Sequence, residues 1–343
     1  MDKLIKDLLA KKDLSYVDIN ELKKRYADRH KSKLPLNSTV LEAATPDQRK
    51  MLVTFLKTKP TRTISGVSVI AIMTAPEPCP GRCIYCPQGD NAPKSYTGFE
   101  PAAMRAQLNH FDPYKQVQNR LWQLNSTGHD TSKNELIIMG GTFPSLPWDE
   151  QKEFVKCAFD GFNNKNSMSL QAAQKKNETT EHRIVGLTVE TRPDWIFPEK
   201  FIELGATRVE LGVQSTSDDI LKSVHRGNTV GDVSRATSEL KDAAFKVLYH
   251  IMPGLPGSTF DSDVQMFHTL FADERFKPDM LKIYPTLVIK GTKLYDMWKA
   301  GKYKPINESY MIGLLKEIYK ISPKWVRIMR VQRDIPAPYI EAG

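Results

Sequence analysis

Cys79-Pro-Gly-Arg-Cys83-Ile-Tyr-Cys86 is the stretch on which the reading of this chain turns. It holds three of the four cysteines; the fourth is Cys157. Thiolates gathered this closely are soft ligands, suited to an iron–sulfur cluster or to zinc. A four-iron cubane needs one ligand per iron, so three thiolates from one loop leave an iron open to a substrate. Structural zinc asks for four closed ligands, often as two C-x2-C pairs. The sequence has no second pair, and no histidine close to the loop.

The C-x3-C-x2-C spacing resembles that of the radical S-adenosylmethionine (SAM) enzymes, which favours a cluster over zinc. The resemblance implies that Cys79, Cys83 and Cys86 hold a [4Fe-4S] cluster whose open iron chelates SAM. It also implies reductive cleavage of SAM to methionine and a 5′-deoxyadenosyl radical. Tyr85 falls where such loops place a ring beside the SAM adenine.

The 343 residues are 40% hydrophobic and 26% charged, the balance of a globular protein with a real core. No apolar run is long enough to span a membrane, and the opening MDKLIKDLLAKKDL is too charged for a secretory h-region. One cysteine outside the loop excludes a disulfide framework, and a thiolate-bound cluster fits a reducing cytoplasm. Net charge is +9, and residues 1–62 carry 15 Lys and Arg against 8 Asp and Glu. Lys23, Lys24, Arg25, Arg29, Lys31 and Lys33 form the densest run. A solvated helical surface explains such a run as readily as phosphate neutralisation does.

Helical spacing is expected over 1–12, 19–30 and 46–57, the last capped by Thr45, so residues 1–62 read as a small helical module. Beyond it, apolar runs at 67–73, 136–139, 184–189, 208–213, 247–252 and 281–284 read as strands buried on both faces. Helices are expected from Pro101 and Pro113, over 148–159 and 198–204, and over 231–245 and 261–271. The alternation specifies an α/β fold with a parallel sheet, a partial (β/α)6 barrel spanning 63–330. The cysteine loop follows the first strand, at the end where barrels place their chemistry. The polar stretch 161–182 reads as a surface insertion.

Polar groups leaving buried strands at their C-terminal ends read as site residues. Gly140, Gly141 and Thr142 end the second strand, where backbone can approach the SAM amino group. Glu190 and Arg192 end the third, and Glu210 and Gln214 flank the end of the fourth; these are candidates for the SAM ribose and carboxylate. Arg226 follows as a further carboxylate contact. Met252 opens the MPGLPG turn after the fifth strand, which resembles the adenine cradle of radical SAM barrels. Lys282 and Tyr284 end the sixth and are the catalytic candidates facing substrate or radical. There is no Walker loop, GxSxG elbow or HExxH.

Longer stretches carry a second resemblance: SYTGFEPAAMRA at 95–106, LIIMGGTFPSLP at 136–147, GLTVETRPDW at 186–195 and RVELGVQS at 208–215. HIMPGLPG at 250–257, LKIYPTLVIKGTKLY at 281–295 and RVQRDIPAPYIEAG at 330–343 extend it. The chain resembles the catalytic subunit family of Elongator, the tRNA wobble-uridine acetyltransferases. That resemblance implies that the adenosyl radical takes hydrogen from the methyl group of acetyl-CoA. The carbon radical then adds to uridine C5, and oxidation and thioester hydrolysis leave carboxymethyluridine. Lys133 falls on a lysine the family assigns to acetyl-CoA, and the basic N-terminal module falls on a region the family uses for tRNA. Elongator-type subunits or a second copy are the further partners implied.

Family members continue past the equivalent of Gly343 into a zinc-binding linker and an acetyltransferase domain, so 331–343 reads as the start of a linker. No R/Q-x-x-G-x-G/A loop is present. This portion alone is therefore expected to bind a cluster, SAM and tRNA. A tRNA-docking module with a structural cluster is the alternative, and a radical SAM enzyme acting on a porphyrin-like substrate is the third reading.

Overall fold

A computed structural model describes residues 1–11 and 13–343. Four helices open the chain: α1 (Asp2–Leu9), α2 (Tyr16–His30), α3 (Asn37–Ala43) and α4 (Pro46–Leu56). Two of them start at capping boxes, Ser15 with Asp18 and Thr45 with Gln48, and Pro46 occupies a first-turn position that needs no N–H. Leu4, Ile5, Leu8, Ile19, Val40, Leu41, Leu52 and Leu56 form their shared core. The module is fastened to the rest by polar groups. His129 places its ring nitrogens 2.9 Å from Thr63 Oγ1 and from the Thr58 carbonyl, and Arg49 reaches the Leu41 and Asn125 carbonyls.

The six expected strands are present: β1 (Ser68–Met73), β2 (Lys133–Met139), β3 (Arg183–Thr191), β4 (Arg208–Gln214), β5 (Lys246–Ile251) and β6 (Met280–Ile283). Two short strands, β7 (Val288–Ile289) and β9 (Ile340–Ala342), pair antiparallel outside the main sheet. Strand β8 (Arg327–Val331) adds itself to β6, giving a seven-stranded, all-parallel sheet in the order β1-β2-β3-β4-β5-β6-β8. The barrel is thus partial, as expected, but has one strand more than the sequence showed. It is a curled half-barrel with edges at β1 and β8.

Helices α5 (Pro101–Leu108), α6 (Pro113–Ser126), α7 (Trp148–Asn163) and α8 (Leu170–Asn177) fill the first two crossovers. Then come α9 (Pro198–Glu203), α10 (Asp218–Ser223), α11 (Val230–Asp242), α12 (Phe260–Ala272), α13 (Lys293–Lys299) and α14 (Glu308–Ile321). Stretch 161–182 is not a surface insertion. Helix α7 continues to Asn163, and Leu170 and Ala173 of α8 are buried in the main core. Among the described residues no helix is long and apolar enough to cross a membrane.

The strands are also not equally buried on both faces. Ile70, Ile72, Leu136, Ile138, Val209, Leu211, Val247, Tyr249, Leu281 and Ile283 face the helices and make the core. Alternate residues face the bore: on β1 and β2 they include the apolar Val69, Ala71, Ile137 and Met139, whereas from β3 to β6 Glu190, Glu210, His250 and Lys282 are polar, with Arg208 and Glu135 paired below them. A period of two puts them all on one side. The helices hold the sheet by hydrophobic burial, so the bore is left free for chemistry.

Residues 331–343 fold back on the barrel mouth. Phe99 and Tyr339 stack with ring centroids 4.0 Å apart, Arg333 Nη2 donates to the Ser95 carbonyl at 2.6 Å, and β9 pairs with β7.

Candidate active site

A cavity of about 600 Å3 occupies the bore and opens at the C-terminal ends of the strands. Its upper wall is the cysteine loop between β1 and α5. This loop has little regular structure and is held by specific bonds. The Ile84 N–H donates to the Val224 carbonyl at 3.1 Å, and the Leu294 N–H to the Ile84 carbonyl at 3.0 Å. The Glu100 carboxylate accepts the N–H groups of Thr97 and Gly98. Cys83, Ile84 and Tyr85 are buried against Val224, Met252, Leu255 and Leu294. Anchored in this way, Cys79, Cys83 and Cys86 all line the cavity.

Three features of the surroundings fit a cluster with a small polar ligand. The first is charge. Burial, then the neighbouring Cys83, pushes the Cys86 thiol up to about 11, with Arg333 opposing. A thiolate there therefore calls for the positive charge a metal supplies. The second is spacing. Among the described residues the one set of His, Cys, Asp and Glu ligand atoms drawn within 4.8 Å of one another is Glu190, Glu210 and His250. The three cysteine sulfurs therefore do not all lie within 4.8 Å of one another, whereas a tetrahedral zinc at about 2.3 Å from each would draw them closer than that. The third is unused hydrogen-bonding capacity. Arg192 Nη1, Gln214 Oε1, Arg226 Nε and Tyr85 Oη are buried without a partner of good geometry. Buried polar groups are normally satisfied, so four unpaired polar atoms beside three thiols fit a small polar ligand held there.

The same residues are otherwise firmly positioned. Arg192 forms a two-pronged pair with Asp194, Nε to Oδ1 at 2.8 Å and Nη2 to Oδ2 at 2.7 Å, which leaves Nη1 pointing elsewhere. Arg226 donates to the Gly212 carbonyl and lies with Nη1 3.5 Å from Cys83 Sγ. Burial disfavours its charge, but Tyr85, Cys83 and Cys86 more than restore it. Thr142 Oγ1 lies 3.4 Å from Cys79 Sγ. Gly140 has φ +123°, and a Cβ there would fall 2.3 Å from Thr74 Oγ1, so only glycine fits this turn. A Cβ at Gly81 would lie 2.5 Å from Arg192 Nη1.

Beneath this layer lies a charged one. Glu190 and Glu210 are direct neighbours across β3 and β4, and His250 and Lys282 across β5 and β6. Two adjacent carboxylates need a cation, and Lys282 serves both. Its Nζ is 3.2 Å from Glu190 Oε1 and in contact with Glu210 Oε2. His250 Nε2 lies 2.7 Å from Glu210 Oε2, and Arg208 Nη2 lies 3.3 Å from Oε1. Burial would raise the Glu210 carboxyl, but Lys282, His250 and Arg208 outweigh it and hold it well below the usual range. Burial likewise disfavours the Lys282 ammonium, and Glu190 and Glu210 more than offset it. Because the ammonium fills the centre, Glu190, Glu210 and His250 form an ion network rather than a metal site. Tyr96 donates to Glu190 Oε2 at 3.3 Å, and Tyr284 meets His250 edge-on, ring centroids 5.3 Å apart.

The chain belongs to the radical SAM superfamily. Residues 77–270 match that superfamily, residues 278–343 match the radical SAM C-terminal domain, and residues 1–64 match the ELP3 N-terminal domain. The chain is 51% identical over 318 residues to the tRNA uridine(34) acetyltransferase of Methanocaldococcus jannaschii, covering 90% of this chain and 59% of that protein. It is 39% identical over 342 residues to Elongator complex protein 3 of Homo sapiens, covering 95% and 62%. The solved structure of archaeal Methanocaldococcus infernus Elp3 with an N-terminal deletion superposes with a TM-score of 0.71 at 46% identity, over 81% of this chain and 59% of that one. The resemblance to the Elongator catalytic subunit family holds, and the chain spans about 59% of the length of such relatives, over their radical SAM part. Superfamily membership implies a [4Fe-4S] cluster and SAM.

Of the residues singled out from sequence, Tyr85, Gly141, Thr142, Glu190, Arg192, Glu210, Gln214, Arg226, Met252, Lys282 and Tyr284 line the cavity with the three cysteines. Gly140 sits just behind Thr142, against Thr74. Lys133 does not join them. It is exposed at the start of β2, paired with Arg183, at the opposite end of the sheet from the cysteines. The basic run divides too. Lys24, Arg25, Arg29, Lys31 and Lys33 are exposed. Lys23 is buried and donates to Asn37 Oδ1 at 3.0 Å, so its ammonium is spent inside the module and is not offered to phosphate. Sequence reasoning passed over Arg208, Tyr96, Arg105, Arg120 and Arg333, all at the site or on its rim. Arg208 was legible as the bore-facing partner of Glu210 two residues on; the others needed the tertiary fold.

Proposed function

We propose that this chain is the radical SAM portion of a tRNA wobble-uridine acetyltransferase, with acetyl-CoA as the source of a carboxymethyl group at uridine C5. The observation that supports it most is one cavity in which three cysteines, four unpaired buried polar atoms and a buried Lys–Glu–His network meet. When bound, the cluster and SAM supply a hydrogen-abstracting 5′-deoxyadenosyl radical. The chain's own groups do the rest. Arg192 and Arg226 offer charge to the SAM carboxylate, and Tyr85, Met252 and Gln214 hold its nucleoside. Glu190, Glu210 and Lys282 keep the β3–β6 side of the bore charged but neutral in sum with Arg208. Lys282 and Tyr284 face the reacting carbon, and tRNA is the partner that brings uridine to it. Lys133, far from the bore, belongs to the acetyl-CoA path only if the donor reaches past the lower end of the sheet. Elongator-type subunits or a second copy complete the expected assembly.

The test is isotopic. Cluster-loaded, reduced protein, supplied with an acetyltransferase domain of the family, is mixed anaerobically with SAM, tRNA and acetyl-CoA carrying three deuterons on its methyl group. Deuterium is expected in the 5′-deoxyadenosine released. Release of 5′-deoxyadenosine free of deuterium would remove the acetyl methyl group as the hydrogen donor.

A further inference from the structure

Arg62, Arg105 and Arg120 are 43 and 15 residues apart in sequence, yet they line one side of the same cavity. Arg62 lies in the 3-10 turn Pro60–Thr63 that joins the helical module to β1, Arg105 on α5 and Arg120 on α6. All three therefore stand beside edge strand β1, on the open flank of the half-barrel. Lys59 adds a fourth cation to the same wall.

No carboxylate among the described residues pairs with them. The one hydrogen bond made there by these three guanidiniums is Arg120 Nη1 to Gln123 Oε1, 3.1 Å, a neutral amide. Arg105 Nε and Arg120 Nε are buried without any partner. Asp334, the acid whose charge supports Arg105, is already taken by Arg330 at 2.7 Å. Burial and mutual repulsion both press on the group: the Arg120 guanidinium is pushed down to about 10, first by burial and then by Arg105 and Arg62. Folding brings three like charges together against their own repulsion, and leaves the Nε groups of Arg105 and Arg120 buried and unsatisfied. Such an arrangement is stable once an anion with several acceptor oxygens sits among the forks.

We infer that Arg62, Arg105 and Arg120 form a phosphate-binding site at the flank of the active-site cavity. Its ligand is a phosphodiester of the RNA whose base enters the bore. The inference rests on the proposed tRNA reading and deepens it. The site lies where the helical module joins the barrel, at the turn that carries Arg62 and follows Lys59. The cavity that these arginines line runs inward from them to Glu190, Lys282 and Tyr284, so a base attached to the held phosphate faces the bore. The phosphates of a CoA thioester share the same chemistry and are the competing source.

The test uses Arg62→Gln, Arg105→Gln and the double variant, each checked for folding by thermal melting. Arg62 is exposed and makes no side-chain hydrogen bond, so Arg62→Gln guards against a folding artefact. Removing one of three repelling charges is expected to leave the melting temperature unchanged or raised in chloride, whereas a purely structural arginine would lower it. Inorganic phosphate is expected to stabilise the wild type and to lose that effect in the double variant. tRNA affinity is expected to fall on the order of tenfold in the double variant, with the slope of log K against log salt reduced by about 0.7 to 0.9 for each phosphate no longer neutralised. Acetyl-CoA affinity is expected to stay constant. Loss of acetyl-CoA binding with tRNA binding intact would overturn the RNA assignment. Unchanged phosphate, tRNA and acetyl-CoA binding would overturn the site altogether. None of these readouts depends on SAM cleavage, so failure of the radical chemistry is detected separately.

Discussion

Cys83→Ala protein, reconstituted anaerobically with iron and sulfide, is expected to load no cluster and to release 5′-deoxyadenosine only at the level of a protein-free control. Cys86→Ala is expected to behave in the same way. The thiols contribute little to the fold. Cys83 packs at the edge of a small apolar cluster with Ile84, Met252 and Leu255, and the loop backbone is held independently by the Val224 and Leu294 bonds. Loss of a small buried group of this kind costs about 1 kcal/mol, so the variants should remain folded. Iron content and visible absorbance then report ligation alone. A three-thiolate site that loses one ligand leaves two irons without protein ligands, which is why the effect is all or none. Wild-type iron loading in either variant would mean that the cysteines are not the ligands. Zinc in place of iron in the wild type, at one ion per chain, would return the site to the structural alternative.

Lys282→Met is expected to lower stability by about 3 to 5 kcal/mol, because it strands the Glu210 carboxylate in a site with no solvent access. The sign of the pH dependence follows from the pair. In the wild type the Glu210 carboxyl is held below its ordinary value of 4.5, so its stabilisation is present above 4.5 and is lost as pH falls through the lowered value. Lys282 is held above its ordinary 10.5, so its contribution is present below 10.5 and is lost as pH rises through the raised value. In Lys282→Met, burial, which favours the protonated acid, is opposed only by His250 and Arg208, so the Glu210 carboxyl titrates higher than in the wild type. The gap in melting temperature between variant and wild type should therefore be widest near neutral pH and should narrow on acidification. Adding Glu210→Gln to Lys282→Met should recover part of the loss. A gap independent of pH, or a neutral Lys282→Met, would show that the ammonium does not hold this layer together.

Much of this was readable in the residues. Asp112-Pro113 and Thr45-Pro46 announced helix starts, and both appear with the cap bonds made. The apolar half of each strand gave the sheet, and the cysteine loop follows β1 and lines the cavity. Other features failed for identifiable reasons. Strand β8 reads RIMRV, with an arginine near each end and no fully buried residue, so it lacks the apolar run that marks a central strand. Helix α8 hides its two buried apolar residues, Leu170 and Ala173, three apart within a polar stretch. Lys23 lies between Ile19 and Ala27 at spacings of four, a helical face that reads as inward despite the charge. The bore followed the opposite rule. Its polar residues alternate with core residues at period two, a pattern hidden when each strand is judged by its apolar content alone. The arginine group beside β1 had no local signal, because three distant segments assemble it.

The most direct test of the account is the yield of 5′-deoxyadenosine from cluster-loaded, reduced protein given SAM, with and without tRNA. Cleavage that tRNA stimulates is expected, since the proposed SAM site and the proposed place of the base share one cavity. A fully loaded cluster that cleaves no SAM, with or without tRNA, would contradict it.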